Sequence, residues 1–271
     1  MAKKVAGEIA TRTPKRRAAK AGRRASAANV SDVPDAPGVL SRLASMGNAA
    51  TAEVALRFFK TGPGEYGEGD KFLGIRVPLL RALARDLRSA GVEVALPLLK
   101  SAWHEARALG LMLMVQIFER ADATTRQRIF DLYLKSTKFI NGWDLVDMSA
   151  APIVGVWLAD KPVERKRILD RLARSDSLWE RRIAMLATYH HIKRGDYSET
   201  FRVATILLKD REDLIQKAVG WMLREVGQRI GEKEEESFLK KHYREMPRTM
   251  LRYAIERFAE PKRKRYLNGL V

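Results

Sequence analysis

The sequence predicts an all-α fold: an α-solenoid of stacked antiparallel helix pairs with a concave basic face. Three observations predict it. Apolar residues recur at the 3.6-residue period from Val39 onward, and no strand-like alternation competes with them. The helical stretches run for roughly 10–17 residues between brief connections, so pairs repeat every 35–40 residues or so, close to HEAT and armadillo units. Finally, Lys and Arg number 51 against 33 Asp and Glu, a net charge of +18 with a pI near 10.2. Solubility requires far less charge, and the excess points to a polyanion such as DNA, RNA or an anionic membrane.

The first 37 residues stand apart. They are rich in Ala, Lys and Arg, contain Pro14, Pro34 and Pro37, and hold few large apolar side chains. Nine basic residues (Lys3, Lys4, Arg12, Lys15, Arg16, Arg17, Lys20, Arg23, Arg24) against Glu8, Asp32 and Asp35 give this tail +6, leaving +12 on residues 38–271. Such a segment buries too little to offset its ordering entropy, so a disordered tail is expected. It reads either as a non-specific DNA tether or as an expendable extension. It lacks the apolar segment of a secretory signal, and an organelle transit peptide is the less favoured reading.

The body begins with helices at 39–47 and 50–60. Thr61 to Gly74 then interrupts the period with five glycines and Pro63. This loop is no phosphate-cradling P-loop, since no Gly-Lys-Ser/Thr follows. Tyr66 at its centre reads first as a packed loop anchor. Pro78 suits the first turn of a helix reaching Ser89, whose Arg81, Arg85 and Arg88, with Arg76 just before it, make a basic surface. Further helices are expected at 92–101, 104–120, 123–136, 143–159, 162–174, 177–193, 196–209, 212–228, 232–246, 248–259 and 261–269.

The helix at 143–159 carries the most suggestive chemistry. Asn141 and Gly142 break the preceding segment, with Asn a favoured cap. Asp144 lies in the first turn, and Leu145, Met148, Pro152, Val156 and Leu158 supply a buried stripe. Trp143 and Asp147 are four apart and share a face, setting an indole beside a carboxylate. Arg181 and Arg182 differ by about 100° around their helix, so only one of them can meet a given groove. Gly220 inside a helix costs roughly 1 kcal/mol against Ala, which close approach of a backbone or a ligand would explain. Taken singly, each tryptophan reads as a packing residue and Asp147 as a cap or an arginine partner. With no cysteine, disulfides, thiolate catalysis and Cys-based zinc sites are excluded, and His104, His190, His191 and His242 show no metal spacing. No apolar run approaches the roughly 20 residues of a membrane span.

Four segments together resemble the AlkD-like family of DNA alkylation repair glycosylases, which have HEAT-like repeats. They are Phe72-Leu73-Gly74-Ile75-x-Val77-Pro78, Asn141-Gly142-Trp143-Asp144-Leu145-Val146-Asp147, Trp179-Glu180-Arg181-Arg182 and Gln216-Lys217-Ala218-Val219-Gly220-Trp221-Met222-Leu223-Arg224-Glu225. The resemblance spans nearly all of residues 39–270 and leaves the tail out.

It implies excision of purines alkylated at N3 or N7, such as 3-methyladenine and 7-methylguanine, from double-stranded DNA without metal or cofactor. It places Trp143 and Trp221 beside the lesion's deoxyribose, makes Asp147 the catalytic carboxylate and puts Arg182 next to it. Arg224 matches a backbone-contacting arginine and Tyr66 a tyrosine near the lesion. Arg76, Arg81 and Lys217 are added as DNA contacts from their charge. A monomeric, cytoplasmic protein, associated with the nucleoid when on DNA, is expected. A non-catalytic binder of damaged or branched DNA and a protein-binding repeat scaffold are the alternatives.

Overall fold

A computed structural model describes residues 35–271. The expectation of a disordered tail over 1–37 falls, up to residue 34, outside the described residues. Its boundary is corrected at the other end. Helix α1 (Ala36–Ser45) already begins within it, with Pro37 in the first turn and the Asp35 carboxylate accepting the Gly38 N–H at 2.9 Å.

The fold is all-α. After α1 come α2 (Ala49–Phe58), α3 (Val77–Asp86), α4 (Val92–Leu99), α5 (His104–Arg120), α6 (Ala123–Lys135) and α7 (Trp143–Ser149). They are followed by α8 (Pro162–Ala173), α9 (Leu178–Ala187), α10 (Tyr189–Ile192), α11 (Ser198–Ile206), α12 (Asp213–Arg229), α13 (Glu232–His242), α14 (Arg248–Ala254) and α15 (Glu260–Leu267). Among the described residues the nearest thing to a strand is an isolated bridge between Lys71 and Trp103. No helix there is long and apolar enough to cross a membrane.

The helices pack as a row. α5 touches α7, α7 touches α9, α9 touches α12 and α12 touches α14. A second set backs this row: α4 lies on α5, α8 on α9, and α11 and α13 on α12. Each layer meets its neighbours, the one-dimensional logic of a solenoid. The row is tied together by fully buried side chains, among them Leu109, Leu145, Ile183, Met222 and Met250. Each such side chain stabilises the stack by roughly 1.5–3 kcal/mol.

Gly220 shows why one helix of the row lacks a side chain. A Cβ there would lie 2.4 Å from the Met250 carbonyl oxygen and 2.5 Å from the Tyr253 Cβ, so the close approach is by the α14 backbone. Gly74 closes the long loop for a similar reason. Its φ is +81°, and a Cβ would meet the Asn48 carbonyl oxygen at 2.1 Å. Next to it, the buried Glu105 carboxylate accepts the N–H groups of Leu73 at 2.8 Å, Gly74 at 2.7 Å and Ile75 at 3.1 Å. The Phe72-Leu73-Gly74-Ile75 motif is therefore an anchoring point between the loop and α5.

Two expectations about the helix at 143–159 are corrected. Residues 150–155 form a π-helical turn rather than a continuation of α7. Pro152 has no N–H to give to an i−4 carbonyl, and the wider turn accommodates that loss. Of the expected stripe, Leu145 and Leu158 are buried, joined by Val146, Ser149, Ala150, Ile153 and Val154, while Met148, Pro152 and Val156 are only partly covered. The cap is Gly142, in an extended conformation, and the buried Asn141 Oδ1 has no hydrogen-bond partner among the described residues.

Candidate active site

The row brings side chains from α7, α9 and α12 to one place. Trp143 opens α7, and Asp147 follows one turn later. On α9, Arg182 directs its guanidinium at Asp147: Nε donates to one carboxylate oxygen and Nη2 to the other, both at 2.8 Å. Its Nη1 donates to the Leu214 carbonyl at 2.6 Å, so the fork is locked between α7 and the start of α12. Arg181, one residue earlier, turns elsewhere and pairs with Asp210 at 2.7 Å. The expected division of labour between the two arginines is therefore observed.

A cavity of about 470 Å³ opens above this pair. Its lining includes Phe58, Tyr66, Trp143, Arg182, Lys217, Trp221, Arg224 and Tyr253. Asp147 sits behind Arg182, with its side chain 19% exposed. Burial pushes its carboxyl above the ordinary value, and Arg182 pulls the other way. Burial also raises the Tyr66 hydroxyl, against the lowering effect of the Trp143 side chain beside it.

Trp143 is held from behind. Its ring stacks on Phe59, with centroids 5.5 Å apart and planes 22° apart, and Phe58 meets it edge-on at 5.9 Å. The aromatic block continues through Phe72 to His104. His104 is buried between two carboxylates, Asp70 at Nδ1 and Asp144 at Nε2, each 2.8 Å away. Burial alone would lower its pKa, but the two carboxylates raise it to about 9. His104 is thus an imidazolium donating from both nitrogens, and it ties the first turn of α7 to α5. Asp70 also accepts from Arg107 at 2.6 Å. Despite its burial, His104 and Arg107 hold the Asp70 carboxyl below the ordinary value.

Trp221 on α12 donates its indole N–H to Glu225 at 3.1 Å, and Arg229 secures the same carboxylate at 2.7 Å. The cations of the cavity are mostly spoken for. Arg182 is paired with Asp147, Lys217 with Asp213 at 2.6 Å, and Arg224 with Glu256. Of the four cations in the lining, only Lys60 makes no ion pair among the described residues. Aromatic faces and neutralised arginines suit a neutral or cationic organic group better than a bare phosphate.

Of the residues singled out from sequence, Trp143, Trp221, Arg182, Arg224, Lys217 and Tyr66 are brought together in the lining, and Asp147 is joined to them through Arg182. Arg76 and Arg81 are not. Arg76 stands exposed at the N-cap of α3, and Arg81 borders a separate cleft with Arg85, Gln116 and Glu119. Phe58, Phe59, Lys60, His104 and Asp144 were given no role in the site from sequence. The His104–Asp144 bond joins residues 40 apart, and no local spacing announces it. No group of three or more His, Cys, Asp or Glu suited to a metal ion occurs among the described residues.

Comparison with known proteins places this geometry in a family setting. The model of the family described as DNA alkylation repair enzyme matches residues 39–258. A solved structure, a predicted DNA alkylation repair enzyme from Enterococcus faecalis, superimposes with a TM-score of 0.62 at 19% identity, covering 79% of this chain and 98% of that one. At that identity the likeness concerns the fold. No curated protein matches the chain in sequence.

Proposed function

The chain belongs to the DNA alkylation repair enzyme family, and from that premise we propose that it is a monofunctional DNA glycosylase for purines alkylated at N3 or N7. The observation that carries the reading is the Asp147 carboxylate, fixed by the Arg182 fork, beside a cavity lined by Trp143 and Trp221. Alkylation at N3 or N7 puts a positive charge on the purine, which makes it a good leaving group. As the bond from C1′ to the base nitrogen breaks, its electron pair leaves with the base and positive charge moves to the sugar.

Asp147 stabilises that oxocarbenium-like sugar and accepts a proton from the water that attacks C1′. The faces of Trp143 and Trp221 favour the same cationic state. Arg182 keeps the carboxylate ionised and aimed. Tyr66, Lys217 and Arg224 line the cavity where the nucleotide enters. The substrate is alkylated double-stranded DNA, the protein acts as a monomer without metal or cofactor, and the products are a free base and an abasic site in an unbroken strand. The chemistry suits any lesion that carries its own positive charge.

The test is release of free 3-methyladenine and 7-methylguanine from methylated duplex DNA by wild type and Asp147→Asn. Equal release by the two proteins would remove Asp147 from the reaction. A second reading is favoured by one feature, the position of Asp147 behind Arg182: a non-catalytic binder of damaged DNA. Tight binding with no base release from any alkylated substrate would establish that alternative.

A further inference from the structure

The C-terminal end of α2 has an unusual cap. Phe59 closes the helix, the Thr61 N–H donates to the Leu56 carbonyl at 3.2 Å, and the Lys60 N–H donates to the Arg57 carbonyl at 3.3 Å. This pair of bonds is a Schellman motif, which puts the residue after the cap in the left-handed region. Glycine is the usual occupant because it has no Cβ to strain. Here the occupant is Lys60, with φ of 52°, the only non-glycine residue at positive φ among the described residues.

The structural work of this position is done by backbone. The Lys60 carbonyl accepts the Gly67 N–H at 3.1 Å and its own N–H completes the cap. Nothing in the cap uses the side chain, so glycine would serve the fold better. A strained residue retained at the edge of a cavity points to function. Lys60 lines the cavity and is exposed. It makes no ion pair among the described residues, whereas Arg182, Lys217 and Arg224 each face a carboxylate. Two residues earlier, Phe58 is 61% exposed on the same rim, edge-on to Trp143. An exposed apolar ring beside an uncommitted ammonium matches the alternation of sugar and phosphate along a nucleic-acid strand.

We infer that Lys60 is a phosphate contact, holding the DNA backbone at the mouth of the cavity while the paired cations inside leave room for the nucleoside. The inference rests on the reading of this cavity as a DNA site. It requires no base release, which keeps the two separable.

The experiment uses the full chain, as wild type, Lys60→Gly and Lys60→Arg, with an undamaged labelled duplex. Affinity is measured across a salt series and thermal unfolding in parallel. Lys60→Gly is expected to melt at the same or a higher temperature. Its plot of log affinity against log salt should be shallower by about 0.9, the contribution of one neutralised phosphate. Lys60→Arg should keep the wild-type slope. A wild-type slope in Lys60→Gly would overturn the inference, and so would a lower melting temperature, since glycine must relieve the cap. A wild type that shows the Lys60-dependent slope yet releases no alkylpurine would sink the glycosylase reading and leave this one standing.

Discussion

Asp147 and Arg182, 35 positions apart, meet through two parallel hydrogen bonds of 2.8 Å across the contact between α7 and α9. The pair is both a structural clamp and the proposed chemical centre, and substitution tests both roles. Asp147→Asn keeps the size but removes the charge and turns an amide NH2 toward one N–H of the Arg182 fork, so base release should fall by about 10²–10³-fold and the melting temperature should fall as well. Arg182→Ala strands a mostly buried carboxylate. Breaking a fully buried pair costs about 3–5 kcal/mol. With the Asp147 side chain 19% exposed, the expected loss is about 2–3 kcal/mol, read from urea unfolding. An unchanged urea midpoint would contradict it.

The pH dependence of activity follows from the same carboxyl. Burial raises it above its ordinary 3.8. The ionised form is the active one, so base release should be full above the folded-state pKa and decline as pH falls through it. The midpoint of the acid limb should therefore lie above the ordinary aspartate value. A midpoint at or below an ordinary carboxylate value would contradict the assignment.

His104 makes stability depend on pH in the opposite sense. Its folded pKa of about 9 lies above the ordinary 6.5. The folded state holds the proton more tightly than the unfolded chain, so the stabilisation is complete below pH 6.5 and is lost as pH rises through about 9. That difference corresponds to something on the order of 3 kcal/mol. Urea midpoints should fall across this window in wild type. In His104→Gln they should start lower and change less, and a curve parallel to wild type would reject the imidazolium.

Gly220→Ala sets two effects of opposite sign against each other. Helix propensity alone would gain roughly 1 kcal/mol. The added Cβ, however, would lie 2.4 Å from the Met250 carbonyl oxygen, which belongs to the backbone and cannot swing aside. We expect a net loss of about 1–3 kcal/mol, typical of overpacking, as α14 is pushed off α12. A thermal scan showing stabilisation would mean that the α12–α14 contact is looser than described.

The helical class was legible because it rests on local periodicity. The Val39-to-end pattern anticipated most of α1 to α15, with ends shifted by a few residues. Where the expectation failed, a local rule was outweighed. Pro152 looked compatible with a continuous helix, but its missing N–H produced a π turn. Asn141 looked like a cap, yet Gly142 occupies that place. The one-turn spacing that sets Trp143 and Asp147 on the same side of α7 was readable because four residues is about one helical turn.

What the chain's own order of residues determined is therefore whatever repeats within a turn or two: the helices, their apolar stripes, the shared face of Trp143 and Asp147, and the net positive charge. The tertiary structure alone decided which distant groups meet. It set Arg182 on Asp147, seated His104 between Asp70 and Asp144, neutralised most cations of the cavity and left Lys60 uncommitted, while sending Arg76 and Arg81 elsewhere. The physical reason is that hydrogen bonds and ion pairs depend on separation in space, and packing the helices into a row brings together side chains that no sequence interval relates.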